Sequence, residues 1–212
     1  MRYDRLARLA TYQVTDPMSK PIVPTLIDLP TELRGPRILL RPYRADDAEQ
    51  LFAAIDESRD HLRHWVTWLD DNRTVDDARD YCIRSQASWL LRTELVLGIF
   101  DEVSGRYLGG TGLHDPDWQL RAFEVGYWLR VTAIGHGYAT ESTRLLVEFA
   151  LSRLQARRIG LHCDARNDAS RRVAERAGFT LEGRLRSVRL APDGSISDEL
   201  IYAVVAEDKE QR

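Results

Sequence analysis

Apolar residues recur along the chain with two periods, and together they predict alternating strands and helices from residue 37 onward. Residues 38–41 form a short apolar run typical of a buried strand. Helical spacing follows at residues 48–55 and again at residues 74–91, where Thr74 and Asp77 are typical of a capping box that begins a helix. The apolar face that we expect this second helix to bury comprises Ala78, Cys82, Ile83, Trp89 and Leu90.

The remainder of the chain predicts two further helices and six further strands. A long amphipathic helix begins near Tyr138, and a shorter helix over residues 169–177 stops at Gly178. Residues 192–195 are typical of the turn of a hairpin between the last two strands. The element order is therefore β-α-α-β-β-β-α-β-α-β-β. The six strands are predicted at residues 95–101, 107–113, 122–130, 158–165, 179–190 and 196–205.

The first 34 residues differ from the rest of the chain. They carry Pro17, Pro21, Pro24 and Pro30 without a sustained hydrophobic period, which is typical of an extended or mobile arm. The chain has 212 residues, of which 43% are apolar, and this is enough for one substantial core. We therefore predict an arm over residues 1–34 and a single domain over residues 35–212.

Composition excludes several classes of protein. The net charge of −3 argues against a dedicated nucleic-acid binder, and no apolar run approaches the ~20 residues of a membrane helix. Cys82 and Cys163 are too few for a disulfide framework or a four-cysteine zinc site, and both lie on predicted apolar faces. No secretion signal is recognisable at the N-terminus. We expect a cytoplasmic protein without a metal, and without nucleic-acid or membrane partners.

One segment carries a pattern with chemical meaning. The strand ending near Arg130 leads into Gly135-His136-Gly137, which opens the helix at Tyr138. Glycines permit a sharp turn, and the free N–H groups of a helix start favour an anion. The segment has no lysine for a P-loop, and Thr140 stands where a Rossmann fingerprint needs a third glycine. A cradle for the pyrophosphate of coenzyme A and a plain strand-to-helix turn remain as interpretations.

A second segment distinguishes these interpretations. Asn167-Asp168-Ala169-Ser170 follows a predicted strand, and the helix that it opens ends in Glu175-Arg176-Ala177-Gly178-Phe179. Together with the glycine loop, this resembles the GNAT superfamily of acetyl-CoA-dependent N-acetyltransferases over residues 36–205. The chain is most similar to the RimJ/RimL branch of that family. The branch-level motifs are Arg37-Ile-Leu-Leu-Arg-Pro42, Trp65-x-x-Trp68, Glu124-Val-Gly-Tyr-Trp128 and Asn167-x-x-Ser170.

The resemblance implies a fold and an acyl donor. The fold is α/β, with a mixed sheet of six to seven strands flanked by about four helices and splayed between the fourth and fifth strands. Acetyl-CoA is the implied donor, although Thr132 stands where the family usually has Gln or Arg before the glycines. The residues implied at the donor site are Leu129, Arg130, Val131, Ile134, Gly135, His136, Gly137, Tyr138, Ala139, Thr140, Asn167, Ser170 and Arg176.

Acetyl transfer needs a deprotonated amine and donors for the thioester oxyanion. The family implies main-chain N–H groups of residues 129–131 for the oxyanion. We nominate Glu124 as general base or as a group that orients the amine, with His114 as the rival base. Ala174 stands where many members have a tyrosine acid, so the branch implies Ser170 as the acid. Asn167 is expected to bind the pantetheine arm, to cap its helix, or both.

The acceptor side is less defined by sequence. Trp65 and Trp68 either pack on the core or form an aromatic wall of the acceptor pocket, as the branch implies. Residues 44–80 carry five Arg and eleven Asp or Glu, whereas residues 153–189 carry ten Arg and four Asp or Glu. This segregation favours a cationic acceptor on one side and the polyanionic cofactor on the other.

The resulting functional hypothesis is an N-acetyltransferase that acts by direct transfer in a ternary complex, without a cysteine nucleophile. Its acceptor is expected to be a protein or peptide N-terminal amino group. The alternatives are a detoxifying acetyltransferase of small amines or aminoacyl conjugates, and an acyl-CoA-binding module without turnover. A monomer and a homodimer are both open.

Overall fold

The computed structural model describes residues 22–207, and over this range one mixed sheet of eight strands carries four α-helices. The helices are α1 (Ala48–Leu62), α2 (Val75–Leu91), α3 (Tyr138–Ser152) and α4 (Asp168–Arg176). The strands are β1 (Leu33–Arg34), β2 (Ile38–Pro42), β3 (Leu95–Asp101), β4 (Tyr107–Asp117), β5 (Ala122–Leu129), β6 (Arg158–Asp164), β7 (Thr180–Leu190) and β8 (Ile196–Val205).

The strand order β1-β2-β3-β4-β5-β6-β8-β7 contains one parallel pair, β5 with β6. These two strands pair over three positions only, Ala122–Glu124 against Arg158–Gly160, and then separate. The prediction of a sheet splayed between its fourth and fifth strands is therefore confirmed, since the fourth and fifth strands expected from sequence are β5 and β6. The sheet has eight strands rather than six to seven because the two-residue β1 adds an edge.

The sheet is buried on both faces, and β3 shows how. Leu95, Leu97 and Ile99 belong to the core shared with α3, whereas Val96 and Phe100 belong to the core shared with α1 and α2. Successive side chains of a strand point to opposite faces, so a continuous apolar run fits a strand covered by helices on both sides.

Helix α2 begins as its sequence predicts. Thr74 is the N-cap, and its hydroxyl and the Asp77 carboxylate form the reciprocal bonds of a capping box. The prediction of its buried face was wrong at two positions, because Ile83 and Leu90 are 50% and 64% exposed. The helix packs through a stripe with spacings of four, three and four residues, and Ile83 and Leu90 lie one position beyond it. That stripe comprises Ala78, Cys82, Ser85 and Trp89.

The segment before β2 joins the folded domain earlier than expected. Leu33 and Arg34 pair with β2, two residues before the predicted boundary, and the Arg92 guanidinium donates to the carbonyl of Ile27. Of the arm predicted over residues 1–34, residues 1–21 lie outside the described residues, as do residues 208–212 of the predicted domain. Within the described range, no helix has both the length and the apolar character needed to span a bilayer.

Replacing Thr74 with Ala is expected to lower the free energy of unfolding by about 1 kcal/mol, because the Asp77 N–H loses its side-chain acceptor at 3.1 Å. Thr74→Ser keeps the cap and should restore most of the loss. Urea unfolding followed by circular dichroism measures both variants. Thr93→Ala, at an exposed position beyond the other end of α2, is the control and should stay within about 0.5 kcal/mol of the wild type. Equal losses for Thr74→Ala and Thr93→Ala would contradict the capping role.

Candidate active site

Two clefts open on either side of the last residues of β5. The first, of about 490 Å³, lies between the start of α3 and the start of α4, and we call it the glycine-loop cleft because Gly135 and Gly137 line it. The second, of about 450 Å³, lies between the sheet and helices α1 and α2, and we call it the aromatic cleft because Trp68 and Tyr81 line it. The two clefts meet, since both are lined by Val66, Tyr127 and Trp128.

The glycine loop turns the chain sharply from β5 into α3. Gly135 and Gly137 have φ values of 85° and 84°, in the left-handed region that other residues rarely adopt. No side chain caps the start of α3, so the N–H groups of its first turn are left for a ligand. Arg37 holds the loop from outside, because its guanidinium bonds both Glu141 and the carbonyl of His136. This arrangement fits a phosphate group.

Arginines supply the positive charge of the glycine-loop cleft, which Arg166, Arg172 and Arg176 line. Arg166 is held by the buried Asp164, which accepts from its Nε at 3.0 Å and from a terminal nitrogen at 2.8 Å. These hydrogen bonds keep the pKa of the Asp164 carboxyl far below its usual range. The carboxylate therefore stays charged and fixes the arginine at the mouth of the cleft.

The last residues of β5 are unpaired on the side that faces β6. The Arg130 N–H donates to the carbonyl of Leu108 at 2.9 Å, so the preceding N–H, that of Leu129, faces the opposite side, where β6 has separated. The Val131 N–H is not free, because it donates to Ser58 Oγ at 2.9 Å. The Arg130 side chain is buried, ion-paired with Glu57, and does not reach the cleft. Three main-chain N–H groups were predicted to bind the thioester oxyanion. Those of Arg130 and Val131 are already hydrogen-bonded within the protein, so the N–H of Leu129 remains available for this role.

Most of the other predicted donor residues come together. Leu129, Ile134, Gly135, Gly137, Ala139, Thr140, Asn167, Ser170 and Arg176 all line the glycine-loop cleft. Arg130, Val131, His136 and Tyr138 do not line it. His136 and Tyr138 instead face a separate small pocket beside the turn between β3 and β4, because a left-handed glycine on each side of His136 turns these residues outward.

Ser170 is joined to a residue that the sequence did not single out. The Tyr127 hydroxyl and Ser170 Oγ share a hydrogen bond of 2.8 Å, and burial raises the pKa of the Tyr127 phenol well above its usual value. Asn167 caps α4, since its Oδ1 accepts from the Ser170 N–H at 3.0 Å. The sequence did carry one signal for Tyr127. Side chains of a strand alternate between its two faces, so Tyr127 points to the same face as the buried Phe123 and Val125, which is the face that α4 covers.

Both cysteines are buried, which confirms their interpretation as small core residues. Burial raises the pKa of the Cys82 thiol to about 12, and it also raises the pKa of the Cys163 thiol. Neither thiol is an activated nucleophile, since the thiolate is the reactive form. Within residues 22–207, no group of three or more His, Cys, Asp or Glu side chains is arranged to hold a metal ion.

Trp65 and Trp68, which the sequence suggested as walls of the acceptor pocket, lie in different clefts. Trp68 lines the aromatic cleft and packs against Trp128 with ring centroids 5.5 Å apart, whereas Trp65 lines the glycine-loop cleft. α1 ends at Leu62, and a short 3-10 turn begins only at Trp68, so Trp65 and Trp68 do not share a regular helix. The segment between α1 and α2 thus contributes one indole to each cleft.

His114 lies in the aromatic cleft and Glu124 does not. The imidazole rests on two glycines, because a Cβ on Gly126 or Gly112 would lie 3.1 or 3.3 Å from its Nε2. Its Nδ1 is 3.7 Å from the carboxylate of Glu94, which also lines the cleft. Glu124 is the cross-strand partner of His114 but lines neither cleft, and its carboxylate lies 3.7 Å from Nδ1 of His162. The sequence offered no signal for Glu94 or His162.

Comparison with known proteins agrees with this geometry. The family model described as an acetyltransferase (GNAT) domain matches residues 37–180. The chain is 32% identical over 181 residues to "Probable N-acetyltransferase YjcK" of Bacillus subtilis, covering 84% of this chain and 99% of that protein. It is 30% identical over 176 residues to "Putative ribosomal N-acetyltransferase YdaF" of Bacillus subtilis, covering 82% of this chain and 93% of that protein. RimJ of Mycobacterium smegmatis, solved with CoA-disulfide, superposes with a TM-score of 0.73 at 25% identity, covering 88% and 91%.

A splayed sheet, an uncapped helix behind two left-handed glycines and a second cleft that meets the first fit the site of an acyltransferase. The chain belongs to the GNAT acetyltransferase family, in its RimJ/RimL-like branch. As a member of this family it is an acetyl-CoA-dependent N-acetyltransferase, and the residues of the glycine-loop cleft fit that donor.

Replacing Gly135 with Ala is expected to raise the Kd for acetyl-CoA roughly tenfold, which corresponds to about 1.4 kcal/mol. The added Cβ meets no protein atom within 4 Å, so it points into open space, and the φ of 85° strains an alanine. Isothermal titration calorimetry measures the affinity.

Gly105→Ala is the matched control, because Gly105 also has a positive φ of 69° and open space around its Cβ but lies outside both clefts. Both variants should lose similar stability, and donor affinity should fall in Gly135→Ala alone. A parallel loss of donor affinity in Gly105→Ala would show that strain rather than the cradle is responsible.

Proposed function

We propose that this N-acetyltransferase moves the acetyl group directly from acetyl-CoA to a primary amine, and that the amine is the N-terminal amino group of a protein or peptide. The observation that carries the proposal is the junction of the two clefts at Val66, Tyr127 and Trp128. A donor in one cleft and an amine in the other would face each other there without a covalent enzyme intermediate. Holding both reactants in this way supplies a large part of the rate acceleration.

In the proposed donor complex, the first turn of α3 and Arg166, Arg172 and Arg176 neutralise the phosphates of coenzyme A. The Leu129 N–H, free at the separated edge of β5, is placed for the pantetheine arm or the carbonyl oxygen of the thioester. Bound acetyl-CoA supplies the thioester carbonyl that the amine attacks, and the carbon–sulfur bond is the bond that breaks.

We assign proton removal from the amine to His114 rather than to Glu124. His114 lines the aromatic cleft, whereas Glu124, its partner on the neighbouring strand, lines neither cleft. The carboxylate of Glu94, 3.7 Å from Nδ1, orients the imidazole with Nε2 over Gly126 and stabilises the positive charge that the ring gains with the proton. The Glu124 carboxylate instead lies 3.7 Å from Nδ1 of His162.

Ser170 is assigned to the leaving sulfur. Its hydroxyl lies in the glycine-loop cleft and is hydrogen-bonded to the Tyr127 phenol, so Ser170 can donate to the leaving sulfur while it accepts a hydrogen bond from Tyr127. The high pKa of the phenol keeps Tyr127 protonated and available as a donor. Asn167 fixes Ser170 by capping its helix, and the cap leaves the Asn167 amide nitrogen for other partners.

A peptide acceptor is supported by the similarity to "Putative ribosomal N-acetyltransferase YdaF" of Bacillus subtilis. About 450 Å³ is within the range of small-ligand sites, so small-molecule amines are the second candidate class. Cytoplasmic localisation, and a monomer or homodimer as the oligomeric state, stay predictions from sequence.

The function is tested by release of the CoA thiol from acetyl-CoA in the presence of a panel of amines. Peptides with free N-termini are expected to give the highest kcat/KM, above polyamines, aminoglycosides and aminoacyl conjugates. N-acetylated copies of the same peptides are the control and should release no thiol. Preference for a small amine would replace the peptide proposal, and absence of thiol release with every amine would exclude turnover.

His114→Gln is expected to lower kcat by about 10²–10⁴-fold with an unchanged KM for acetyl-CoA, because the variant loses the proton acceptor in the aromatic cleft. Glu124→Gln, on the adjacent strand, is the matched comparison and should lower kcat by less than about tenfold. Steady-state kinetics with a saturating peptide measures both. The reverse order of the two effects would return the general-base role to Glu124.

A further inference from the structure

Gly126 lies in the middle of β5 and lines the aromatic cleft. Glycine weakens a strand relative to alanine, because it has no side chain to pack and loses more conformational freedom on folding. The φ of Gly126 is not in the left-handed region, so its backbone conformation is open to any residue. Beyond its chain neighbours, a Cβ at this position would come within 4 Å of two atoms among the described residues. These are Cδ2 and Nε2 of His114, each at 3.1 Å.

The cross-strand partner of Gly126 is also a glycine, but for a different reason. A Cβ on Gly112 would lie 3.0 Å from the carbonyl oxygen of Leu95 and 3.1 Å from Cα of Val96. The main chain of β3 therefore leaves no room for a side chain at Gly112, and the packing of the sheet accounts for this glycine. It does not account for Gly126, where the imidazole of His114 is what a side chain would displace.

The missing side chain changes where the imidazole lies along the sheet. His114 is paired across the strands with Glu124, which lines neither cleft. The ring leans from there toward Gly126, two residues further along β5, and two residues of a strand span about 7 Å. Nε2 thereby approaches Tyr127 and Trp128, the next two residues of β5, where the two clefts meet.

We propose that Gly126 is a positioning residue for the base. Because it has no side chain, the His114 imidazole can lie beside the junction of the clefts, where the amine meets the thioester. This inference rests on the proposed function, which assigns proton removal to His114. Gly126 takes no part in the chemistry and acts through the ring, so a larger residue at this position would push the base away from the junction.

Replacing Gly126 with Ala tests this role. Ordinary contacts of a Cβ are 3.4–4 Å long, so a Cβ at 3.1 Å from two ring atoms makes the imidazole move. Because a small displacement of a reacting group is costly, kcat with a saturating peptide should fall about tenfold. The KM for acetyl-CoA should not change, since Gly126 does not line the glycine-loop cleft. A raised KM for the peptide with an unchanged kcat would overturn the proposal and show that this glycine leaves room for the acceptor.

Gly160→Ala is the matched control. Gly160 lies on β6, paired with Glu124, and lines neither cleft. A Cβ there would lie 3.8 Å from its two nearest atoms, one of them Nε2 of His162, which is an ordinary contact. Because alanine strengthens a strand relative to glycine, both variants should keep or raise Tm, and kcat should fall in Gly126→Ala alone. Equal losses of kcat in the two variants would contradict the positioning role.

A double-mutant cycle tests whether Gly126 acts through His114. Added to His114→Gln, the substitution Gly126→Ala should lower kcat by less than about twofold, because the ring that it displaces is already absent. A merely structural role of Gly126 would give the same loss in both backgrounds. That result would overturn the proposal whatever the two Tm values are.

Failure of the proposed function gives different results. Wild-type enzyme that releases no thiol with any amine would overturn the transfer to an amine, and the role of Gly126 with it. A wild-type kcat in His114→Gln would remove the base and its positioning residue together and leave the acetyltransferase activity intact. If only the positioning role is wrong, His114→Gln is impaired and Gly126→Ala keeps the wild-type kcat.

Discussion

The separation of β5 from β6 after three paired positions decides where the rest of the site lies. Each of the two strands is paired along most of its length on its other side, β5 with β4 and β6 with β8, so the opening does not weaken the sheet around it. The backbone groups that face the opening have no strand to bond, and unpaired backbone groups are costly unless a ligand or water satisfies them. The glycine loop follows one strand and α4 follows the other, so the two cofactor-facing helix starts meet across this gap.

The end of β5 is kept in place from the opposite side by α1. Glu57 and Ser58, one turn before the end of that helix, bond the Arg130 guanidinium and the Val131 N–H. The hydrogen bonds from Arg130 lower the pKa of Glu57, and a buried guanidinium left without this partner would be expensive. Arg130 therefore contributes to the site as a structural anchor. The helix that walls the aromatic cleft and the strand that borders the glycine-loop cleft are joined by these contacts.

Local patterns in the sequence predicted the elements well because they depend on neighbours in the chain. The capping box at Thr74, the glycine loop and the Asn167 cap are all contacts over three residues or fewer. Contacts between distant segments were not predictable in this way. The pairing of Tyr127 with Ser170 spans 43 residues, and it exists only because β5 and α4 converge at the opening.

The count of charged residues likewise described the net charge of whole segments, but it did not predict which charged side chains line the clefts. Many acidic residues of α1, α2 and the turn between them pair with arginines three or four positions away on the surface, so little of that charge reaches the cleft. One of the two carboxylates that line the aromatic cleft, Glu94, lies outside the acidic stretch altogether. Along β5, meanwhile, Tyr127 points to α4 and Trp128 to the aromatic cluster of α1 and α2. These neighbouring side chains leave opposite faces of the strand, yet both line both clefts, so a substitution at either position would change the shape of the two clefts together.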